Sequence, residues 1–534
     1  MRKSSGLWIG NYLKQRGVDA LFTLTGGHIF PILDGCVEHD IRVIDTRHEQ
    51  AAAFCAEGWA LKKCTPGVYA VTAGPGFINA VTGLAHASIT QNRTLCLAGA
   101  SPTTQRDQGA AQELEQTKVA EIYSTYAKTV HHPERIPQYM EMAFQQMQGS
   151  RPGPAFLELP WDVVFEPLSD EVEATFAPRP IPVSAGDPRD IETADEMIRN
   201  ATNPVMVVGG GAYWSNCADT LKAFAEQTGI PVFTRNSARG LLPDEHPQCY
   251  GGSPGTGVFK SDLVIVAGTR LNSTFYYGQF GDNTKIIQID CDSAAIGNNN
   301  TVDLGICGDV GLVLAQLSQV LTGYSCPKDW IATLDAGVAK RREKFEAGYK
   351  SDQTPIHPLR LLHELNEFSN ESTTFTIDGG DIGVEAARHL VASRPGSQLT
   401  NASTLGALGP GIPYAIGAKV AAPDETVICL TGDGAFGIGA MEMDTAVRHD
   451  LPIIVVIGND QRWGMIGRSH ADMFGKNRVV AAELGDRPYD KMVEALGGYG
   501  ERVEDPNQIR PALERAVASG KPACLNVIMA PAVE

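Results

Sequence analysis

Two aspartates, each directly after an apolar stretch, mark the part of the chain best suited to chemistry. VICLTGDG places Asp433 between two glycines, and LPIIVVIGND ends with Asn459 and Asp460. Two carboxylates at one sheet edge suit a hard divalent cation, and glycines beside them let the backbone approach a phosphate. The pattern therefore predicts a magnesium-bridged diphosphate. The alternative is an ordinary turn in which Asp433 caps a helix.

The elements around these residues must form a strand–helix–strand unit. GAMEMDTAVRHD has helical spacing and joins the two apolar strands. Such units place their strands parallel, and ligands of open α/β sheets bind at the carboxyl ends of the strands. We therefore expect Asp433 and Asp460 to meet at one edge of a parallel sheet.

Composition limits the class of protein. A chain of 534 residues with 43% hydrophobic and 20% charged residues is too long for one core and is typical of a globular protein. The formal charge of −18 predicts no nucleic acid and no anionic membrane as partner. The 11 cysteines contain no CxxC pair, which indicates free thiols rather than disulfides or zinc. With no signal-like segment and no long apolar run, we expect a cytoplasmic protein.

Alternating helical and strand patterns divide the chain into three α/β segments. The predicted domains are 1–175, 190–325 and 357–534, and linkers are predicted at 166–190 and roughly 326–356. Strand patterns that alternate with helices are typical of parallel sheets covered on both faces. The expected fold class is therefore α/β, with three doubly wound parallel-sheet domains.

Five motifs resemble the thiamine-diphosphate enzymes of the acetolactate-synthase-like superfamily. They are GDG with its later Asn-Asp pair, TRHEQAAAFCAEGWA (46–60), TAGPGFINAVTGLAHA (72–87), AFLELPWDVV (155–164) and LGALGPGIPYAIGAKVA (405–421). GGHI, TRHE and LPWD look most like benzaldehyde lyase and bacterial 2-hydroxyacyl-CoA lyases. The resemblance implies a pyrimidine-binding, a central and a diphosphate-binding domain, with thiamine diphosphate and Mg²⁺ as cofactors.

The resemblance also implies how the two cofactor rings are held. Glu49 is the implied carboxyl group on N1′ of the pyrimidine, where it enables the proton relay within the cofactor. Without the resemblance, an acid at a helix start is an ordinary partner of the helix dipole. Leu408 is the implied apolar wedge between the rings, and Gly406 the carbonyl that accepts the 4′-amino group. A core leucine beside a glycine turn is the alternative.

The metal and the diphosphate are assigned to the third segment by the same resemblance. The implied metal ligands are the side chains of Asp433 and Asp460 and the backbone oxygen of Arg462. Asp460 stands where many relatives have Asn. Backbone contacts to the diphosphate are implied for Gly432, Gly434 and Ala435, together with Asp433 and Asp460.

Substrate-side residues are implied in two segments. His28 and Gln112 match positions near the reactive carbon in benzaldehyde lyase, where a histidine can exchange a proton with a substrate hydroxyl. Gly27, Trp463 and Met465 are implied to form the substrate pocket. A polar loop and ordinary core packing are the alternatives for these residues.

The central segment carries a glycine cluster, VVGGGAYW, that is a weak nucleotide signal. In relatives this domain binds FAD, ADP or nothing, so ADP or CoA is an additional expected ligand. Asp290 and Asp292 end the strand KIIQIDCD. The basic candidates for CoA phosphates are Arg235, Arg239, Lys260 and Arg270, for which solubility is the alternative role.

The leading prediction is a carbon–carbon lyase or carboligase that acts on a small molecule, a 2-hydroxyacyl-CoA. A benzaldehyde-lyase-like hydroxyketone lyase and an acetolactate-synthase-like 2-oxo acid enzyme stay open. A non-catalytic nucleotide-binding protein and a Rossmann dehydrogenase fit less well. The family clasps each cofactor between two chains, which predicts a homodimer or homotetramer. The sequence ends at Val533 and Glu534 soon after its last strand, so we also expect an open site without a C-terminal lid.

Overall fold

The computed structural model describes residues 4–169, 171–172, 177–251, 255–400 and 404–531. The prediction of a missing lid was based on the C-terminal residues Val533 and Glu534. These two residues lie outside the described part of the chain. In the part of the chain that the structure describes, no helix combines the length and apolar character needed to cross a membrane.

The first sheet has six parallel strands in the order β2-β1-β3-β4-β6-β5. Its strands are β1 Ala20–Leu24, β2 Arg42–Asp45, β3 Gly67–Val71, β4 Thr94–Ala100, β5 Tyr126–Thr129 and β6 Ala155–Pro160. Its helices are Ser5–Gln15, Phe30–Glu38, Glu49–Lys63, Pro75–Thr90, Gln116–Tyr123, Ile136–Met147 and Trp161–Phe165. The inner strands β3 and β4 are buried, apart from Ala100 at the end of β4, because helices cover both faces of the sheet.

The central sheet has five parallel strands in the order β11-β10-β9-β7-β8. The strands are β7 Pro204–Val208, β8 Val232–Thr234, β9 Leu263–Ala267, β10 Lys285–Asp290 and β11 Leu304–Cys307. The helices around it are Pro188–Asn200, Gly210–Trp214, Ala218–Thr228, Gly255–Lys260 and Val310–Val320.

The third sheet again has six parallel strands, in the order β13-β12-β14-β15-β17-β16. The strands are β12 Thr373–Ile377, β13 Gln398–Thr400, β14 Thr426–Gly432, β15 Ile454–Asn459, β16 Tyr499–Val503 and β17 Ala523–Ile528. Its helices are Pro358–Phe368, Asp381–His389, Gly411–Ala421, Asp433–Gly439, Glu442–Arg448, Gly464–Phe474, Tyr489–Ala495 and Ile509–Ala518. Three parallel-sheet domains confirm the predicted α/β fold class. The domain boundaries stay predictions.

The second predicted linker contains regular structure that the sequence did not indicate. Residues 326–356, interpreted as a linker, contain the 22-residue helix Lys328–Tyr349. Only Trp330 and Leu334 of this helix are buried, so its other residues are at least partly exposed to solvent. A helix with so narrow an apolar face has little hydrophobic periodicity, which is why its sequence lacks the usual helical signal.

The first and third domains pack through one helix from each, Glu49–Lys63 and Gly411–Ala421. A Cβ atom added to Gly417 would lie 2.1 Å from the carbonyl oxygen of Cys55, and one added to Gly58 would lie 2.6 Å from the Cα of Tyr414. The two backbones therefore touch, and no larger residue fits at either glycine. This contact fixes where the helix that begins at Glu49 lies relative to the third domain.

Candidate functional site

A cavity of about 220 Å³ opens at the carboxyl edge of the third sheet, where β12, β14 and β15 end. The structure brings ten of the sequence-predicted residues together in its wall: Gly406, Leu408, Gly432, Asp433, Gly434, Ala435, Asp460, Arg462, Trp463 and Met465. Open α/β sheets bind ligands at this edge, where strand ends and glycine turns expose the backbone.

Asp433 is a buried carboxylate, and one of its oxygens accepts no hydrogen bond from the described residues. Its side chain is 2% exposed, and Oδ2 has no hydrogen-bond partner among the described residues. Burial and the neighbouring charge of Asp460 together raise the pKa of Asp433 to about 7, against the lowering effect of the backbone N–H groups of Gly434 and Arg462. A bound cation would compensate this charge.

Asp460 completes an acidic pair. Burial and the charge of Asp381 together raise its pKa to about 6, against the lowering effect of the Arg462 charge. Among the described residues, no group of three or more His, Cys, Asp or Glu side chains could hold a metal. Two carboxylates could serve a hard cation such as Mg²⁺ that takes its other ligands from backbone oxygens and a phosphate.

Two glycines make room for these acids and for a ring. A Cβ atom on Gly464 would lie 2.5 Å from Oδ2 of Asp460 and 3.0 Å from Oδ2 of Asp381. A Cβ atom on Gly434 would lie 2.5 Å from the ring of Trp463, so this ring packs directly on the Gly434 backbone. A side chain at either position would displace these carboxylates or this ring, so glycine lets them occupy the observed positions.

Sequence reasoning missed two aspartates of this edge, Asp378 and Asp381, although FTIDGGD ends a strand just as VICLTGD does. Oδ2 of Asp378 accepts the backbone N–H groups of Gly409 and Gly411, each at 2.9 Å. These bonds fix the turn that carries Leu408. Asp381 forms a two-bond ion pair with Arg468, at 2.5 and 3.1 Å. Asp381 itself lines the cavity, so the pair places a positive charge next to the cavity wall.

A second group of predicted residues lies at the carboxyl edge of the first sheet. Glu49 begins the helix Glu49–Lys63, is 5% exposed, and accepts a hydrogen bond from Nδ2 of Asn79 at 3.0 Å. A Cβ atom on Gly76 would lie 3.5 Å from Oε1 of Glu49 and 2.8 Å from Cγ2 of Thr72. Glu49 and Thr72 therefore flank the same glycine turn.

His28 reaches this turn from the neighbouring strand. Its Nδ1 lies 3.0 Å from Oγ1 of Thr72, and Nε2 has no hydrogen-bond partner among the residues described. Burial lowers the pKa of His28, which favours the neutral imidazole. A Cβ atom on Gly99 would lie 2.4 Å from Cβ of His28, so only glycine leaves room for the histidine.

Gln112 approaches from the other side of the turn. Its backbone adopts the left-handed conformation, with φ of 60°. A Cβ atom on Gly74 would lie 2.8 Å from the carbonyl oxygen of Gln112. Such a conformation costs a non-glycine residue free energy and is frequent at functional sites. Gln116, which sequence reasoning missed, holds the turn by accepting the Gly74 N–H at 2.9 Å.

The two groups do not meet within one chain. His28, Glu49 and Gln112 are absent from the described wall of the third-domain cavity. Gly27 is likewise absent and lies exposed at the start of the turn Gly27–Ile29. The predicted residues are therefore divided, with ten in the wall of the third-domain cavity and four at the edge of the first sheet.

The central domain adds a groove against the first domain. Two adjoining cavities of about 100 and 550 Å³ share the residues Ile89, Pro152 and Arg270. Burial raises the pKa of Asp290, at the end of β10, to about 6, and Asp290 accepts the backbone N–H of Asp292 at 2.9 Å.

One predicted basic contact of the central segment is wrong. Arg239 is 5% exposed and pairs with Asp244 through two hydrogen bonds, at 2.5 and 2.6 Å. It also donates to the backbone oxygen of Leu390 at 3.0 Å. Its guanidinium is therefore committed to the contact between the central and third domains and does not fit a CoA phosphate.

Family models match all three domains. The N-terminal TPP binding domain of thiamine pyrophosphate enzymes matches residues 6–119, the central domain 191–317, and the C-terminal TPP binding domain 378–527. The chain belongs to the thiamine pyrophosphate enzymes. This confirms the resemblance inferred from the motifs.

Curated relatives of this thiamine pyrophosphate enzyme carry two kinds of name. A "Probable acetolactate synthase" of Mycobacterium bovis is 35% identical over 99% of this chain and 96% of that protein. A "2-hydroxyacyl-CoA lyase 2" of Homo sapiens is 31% identical over 97% of this chain and 88% of the human protein. A "Probable acetolactate synthase large subunit" of Methanococcus aeolicus is 32% identical over 97% and 91%.

Cofactor binding that depends on a metal can be tested at the acidic pair, where Oδ2 of Asp433 has no hydrogen-bond partner among the described residues. We expect Asp433→Ala to weaken binding of thiamine diphosphate with Mg²⁺ by about 100-fold or more, because a cation would lose its buried carboxylate. Asp460→Asn keeps an oxygen ligand, so we expect a loss of less than about tenfold. Titration calorimetry measures both, with the exposed Asp424→Ala as control. Equal losses in the first two variants would contradict the assigned roles.

Proposed function

We propose that this enzyme is a thiamine-diphosphate-dependent carbon–carbon lyase or carboligase that cleaves or forms a 2-hydroxyacyl-CoA. The cofactor, when bound, supplies a nucleophilic carbon and an electron sink. Asp433, Asp460 and the Arg462 carbonyl would hold Mg²⁺ and, through it, the diphosphate. Glu49 would hold a proton between its carboxylate and a ring nitrogen of the cofactor.

His28 is the observation that carries the proposal. Cleavage of a 2-hydroxyacyl compound removes the hydroxyl proton as the adjacent C–C bond breaks and the hydroxyl carbon becomes an aldehyde. That step needs a base, whereas loss of CO₂ from a 2-oxo acid needs none. Thr72 holds one nitrogen of His28, and burial keeps the ring neutral. Nε2 is therefore suited to accept that proton.

The groove beside the central domain supports CoA as the carrier. Arg270 lines both of its cavities, and Arg151 lines one. A guanidinium group can bind two phosphate oxygens at once. Asp290 lines neither cavity, although its charge acts on Arg270. The nucleotide end of CoA would lie in this groove. Lys260 is exposed on the same domain but does not line it.

Acetolactate synthesis from 2-oxo acids is the second candidate. It is favoured by the 35% identity to a probable acetolactate synthase over nearly the whole of both chains. In this case His28 would donate a proton to an oxyanion formed by carboligation instead of removing one from a hydroxyl. The two candidates differ in their acyl donor, which makes them separable by a direct assay.

A complete site would take its two halves from two copies of the chain. Glu49 and Asp433 lie at different sheet edges, and exposed apolar side chains lie around both. Around the first edge they include Phe30, Ile78 and Leu114, and around the second Leu405, Ile438 and Ile466. Apolar exposure of this extent marks interaction surfaces. We infer a homodimer or a homotetramer, in which these faces pair.

Substrate turnover tests the proposed reaction. We expect the enzyme with thiamine diphosphate and Mg²⁺ to cleave a 2-hydroxyacyl-CoA faster than it converts pyruvate or benzoin, because only the first uses both His28 and the nucleotide groove. Coupled detection of the released aldehyde measures the rates. Glu49→Gln is the matched control and should lose activity by about 10²- to 10⁴-fold on every substrate. If the enzyme converts only pyruvate, the lyase proposal is wrong and acetolactate synthesis from 2-oxo acids is favoured.

The pH profile tests His28. Its lowered pKa means that the neutral base persists to lower pH than an ordinary histidine, so the acid limb of kcat/KM for cleavage should lie below pH 6.5. His28→Ala should remove this limb and lower kcat by about 100-fold or more, with cofactor affinity unchanged. The exposed His132→Ala is the control. A loss of cofactor binding in His28→Ala would show a structural role instead.

Mixing two inactive variants tests the two-chain site. Glu49→Gln and Asp433→Ala chains, dissociated and reassociated together, form mixed dimers with one intact site each. If subunits exchange at random, a 1:1 mixture should recover about a quarter of wild-type activity, because half of the dimers are mixed. Activity is measured before and after exchange, with light scattering for mass. If activity after exchange stays at the level of the separate variants, or if a monomer is active, both halves of the site would belong to one chain.

A further inference from the structure

Glu442 reaches from the third domain to the residues directly before Glu49. It is the first residue of the helix Glu442–Arg448 and is 2% exposed. Its two carboxylate oxygens lie 3.1 and 3.2 Å from the backbone nitrogen of Arg47, which donates to them. Thr445 donates its hydroxyl to Oε2 at 2.7 Å. The carboxylate is thereby held in one orientation between the two domains.

The surroundings of this carboxylate make its contacts energetically important. Burial raises the pKa of Glu442, and hydrogen bonds from Thr445 and from the backbone of Arg47 and His48 oppose that rise, together with the charge of Arg448. A buried charge is costly unless hydrogen bonds replace its lost hydration. The charged form of Glu442 therefore depends on the backbone of residues 47 and 48 being in place.

The same backbone determines where Glu49 begins its helix. His48 is the N-cap residue, and its Nδ1 accepts the backbone N–H of Gln50 at 3.1 Å. The Thr46 hydroxyl donates to the carbonyl oxygen of His48 at 2.9 Å. Glu442 adds a buried contact that comes from another domain. It ties the entry of the Glu49 helix to the element that follows the Asp433 helix.

Other contacts between the same segments lie near the surface. Arg448 pairs with Asp45 at 2.6 Å, and Arg47 pairs with Asp444 at 3.2 Å, with the Arg47 side chain 49% exposed. Exposed ion pairs contribute little because water and salt screen them. Asp444 is therefore a matched control for Glu442, since it lies two residues away and also contacts Arg47.

We propose that Glu442 is a positioning residue for Glu49. It acts through the backbone of Arg47 and His48 and aligns the Glu49 carboxyl for its proton transfer. This inference rests on the proposed role of Glu49. Glu442 itself would touch neither cofactor nor substrate. Its loss should misplace Glu49 without weakening the diphosphate site at Asp433.

Glu442→Gln is the first test, because an amide keeps the shape but presents N–H groups to the backbone donors. We expect kcat to fall about 10- to 100-fold, as small misplacements of a reacting group do, with KM and the affinity for cofactor and Mg²⁺ unchanged. Thermal unfolding should show a folded protein. Asp444→Asn should keep at least about half of the wild-type kcat, since its ion pair is exposed.

A double-mutant cycle separates positioning from general stability. If Glu442 acts only through Glu49, Glu442→Gln should cost nothing further in a Glu49→Gln background. A second readout does not depend on turnover. In the full-length, cofactor-free Glu442→Gln variant, amide hydrogen exchange in the peptide that spans residues 46–52 should be faster than in the wild type. Additive losses in the cycle, or wild-type kcat in Glu442→Gln, would overturn the proposal. A fully active Glu49→Gln would instead remove the proposed function itself.

A milder variant keeps the proposal testable if Glu442→Gln does not fold. Thr445→Val removes only the hydroxyl that orients Oε2 and leaves the carboxylate in place. We expect a loss of about two- to tenfold in kcat that disappears in the Glu49→Gln background. An unchanged kcat in the folded variant, or a loss that persists without Glu49, would count against the positioning role.

Discussion

The direct backbone contact between the helices Glu49–Lys63 and Gly411–Ala421 determines how the first and third domains are arranged. Gly58 and Gly417 bring the helices together so closely that neither position has room for a side chain. Each helix begins next to a proposed cofactor-binding element, the first at Glu49 and the second after the turn that carries Leu408. Because the contact is between rigid backbones, both elements keep a fixed separation.

A buried polar network strengthens this contact. Glu57 is fully buried and accepts hydrogen bonds from Nδ1 of His86 at 3.0 Å, from Thr90 at 3.1 Å and from Asn92 at 2.5 Å. The hydroxyl of Tyr414, from the third domain, lies 3.4 Å from the same His86 nitrogen. A satisfied network in a core permits one arrangement of its members, whereas apolar packing tolerates several. Together with Glu442, it gives the first and third domains a single relative orientation.

The fold class and the strands that carry the proposed functional residues could be predicted from the sequence, because a strand end with glycine and aspartate has a local signature. Asp433, Asp460 and Leu408, singled out by their motifs, share one cavity wall. Glu442 was missed because it binds the backbone N–H group of a distant segment, and such a partner leaves no local pattern. Asp378 was missed although it ends its strand with the same signature as Asp433. The helix in 326–356 escaped because so little of it is buried. What depends on one segment was predictable, and what depends on two distant ones was not.

The ring of Trp463 packed on the Gly434 backbone has a consequence for how such an enzyme can diversify. Trp463 belongs to the proposed substrate pocket, while Gly434 belongs to the proposed diphosphate cradle, and the two share one surface. A smaller residue at 463 would widen the pocket but leave a void against the cradle. New substrate range acquired at this position would therefore be accompanied by weaker cofactor retention, unless a second substitution refills the gap. Evolution of specificity should proceed more freely through Met465, which packs beside Gly380 instead.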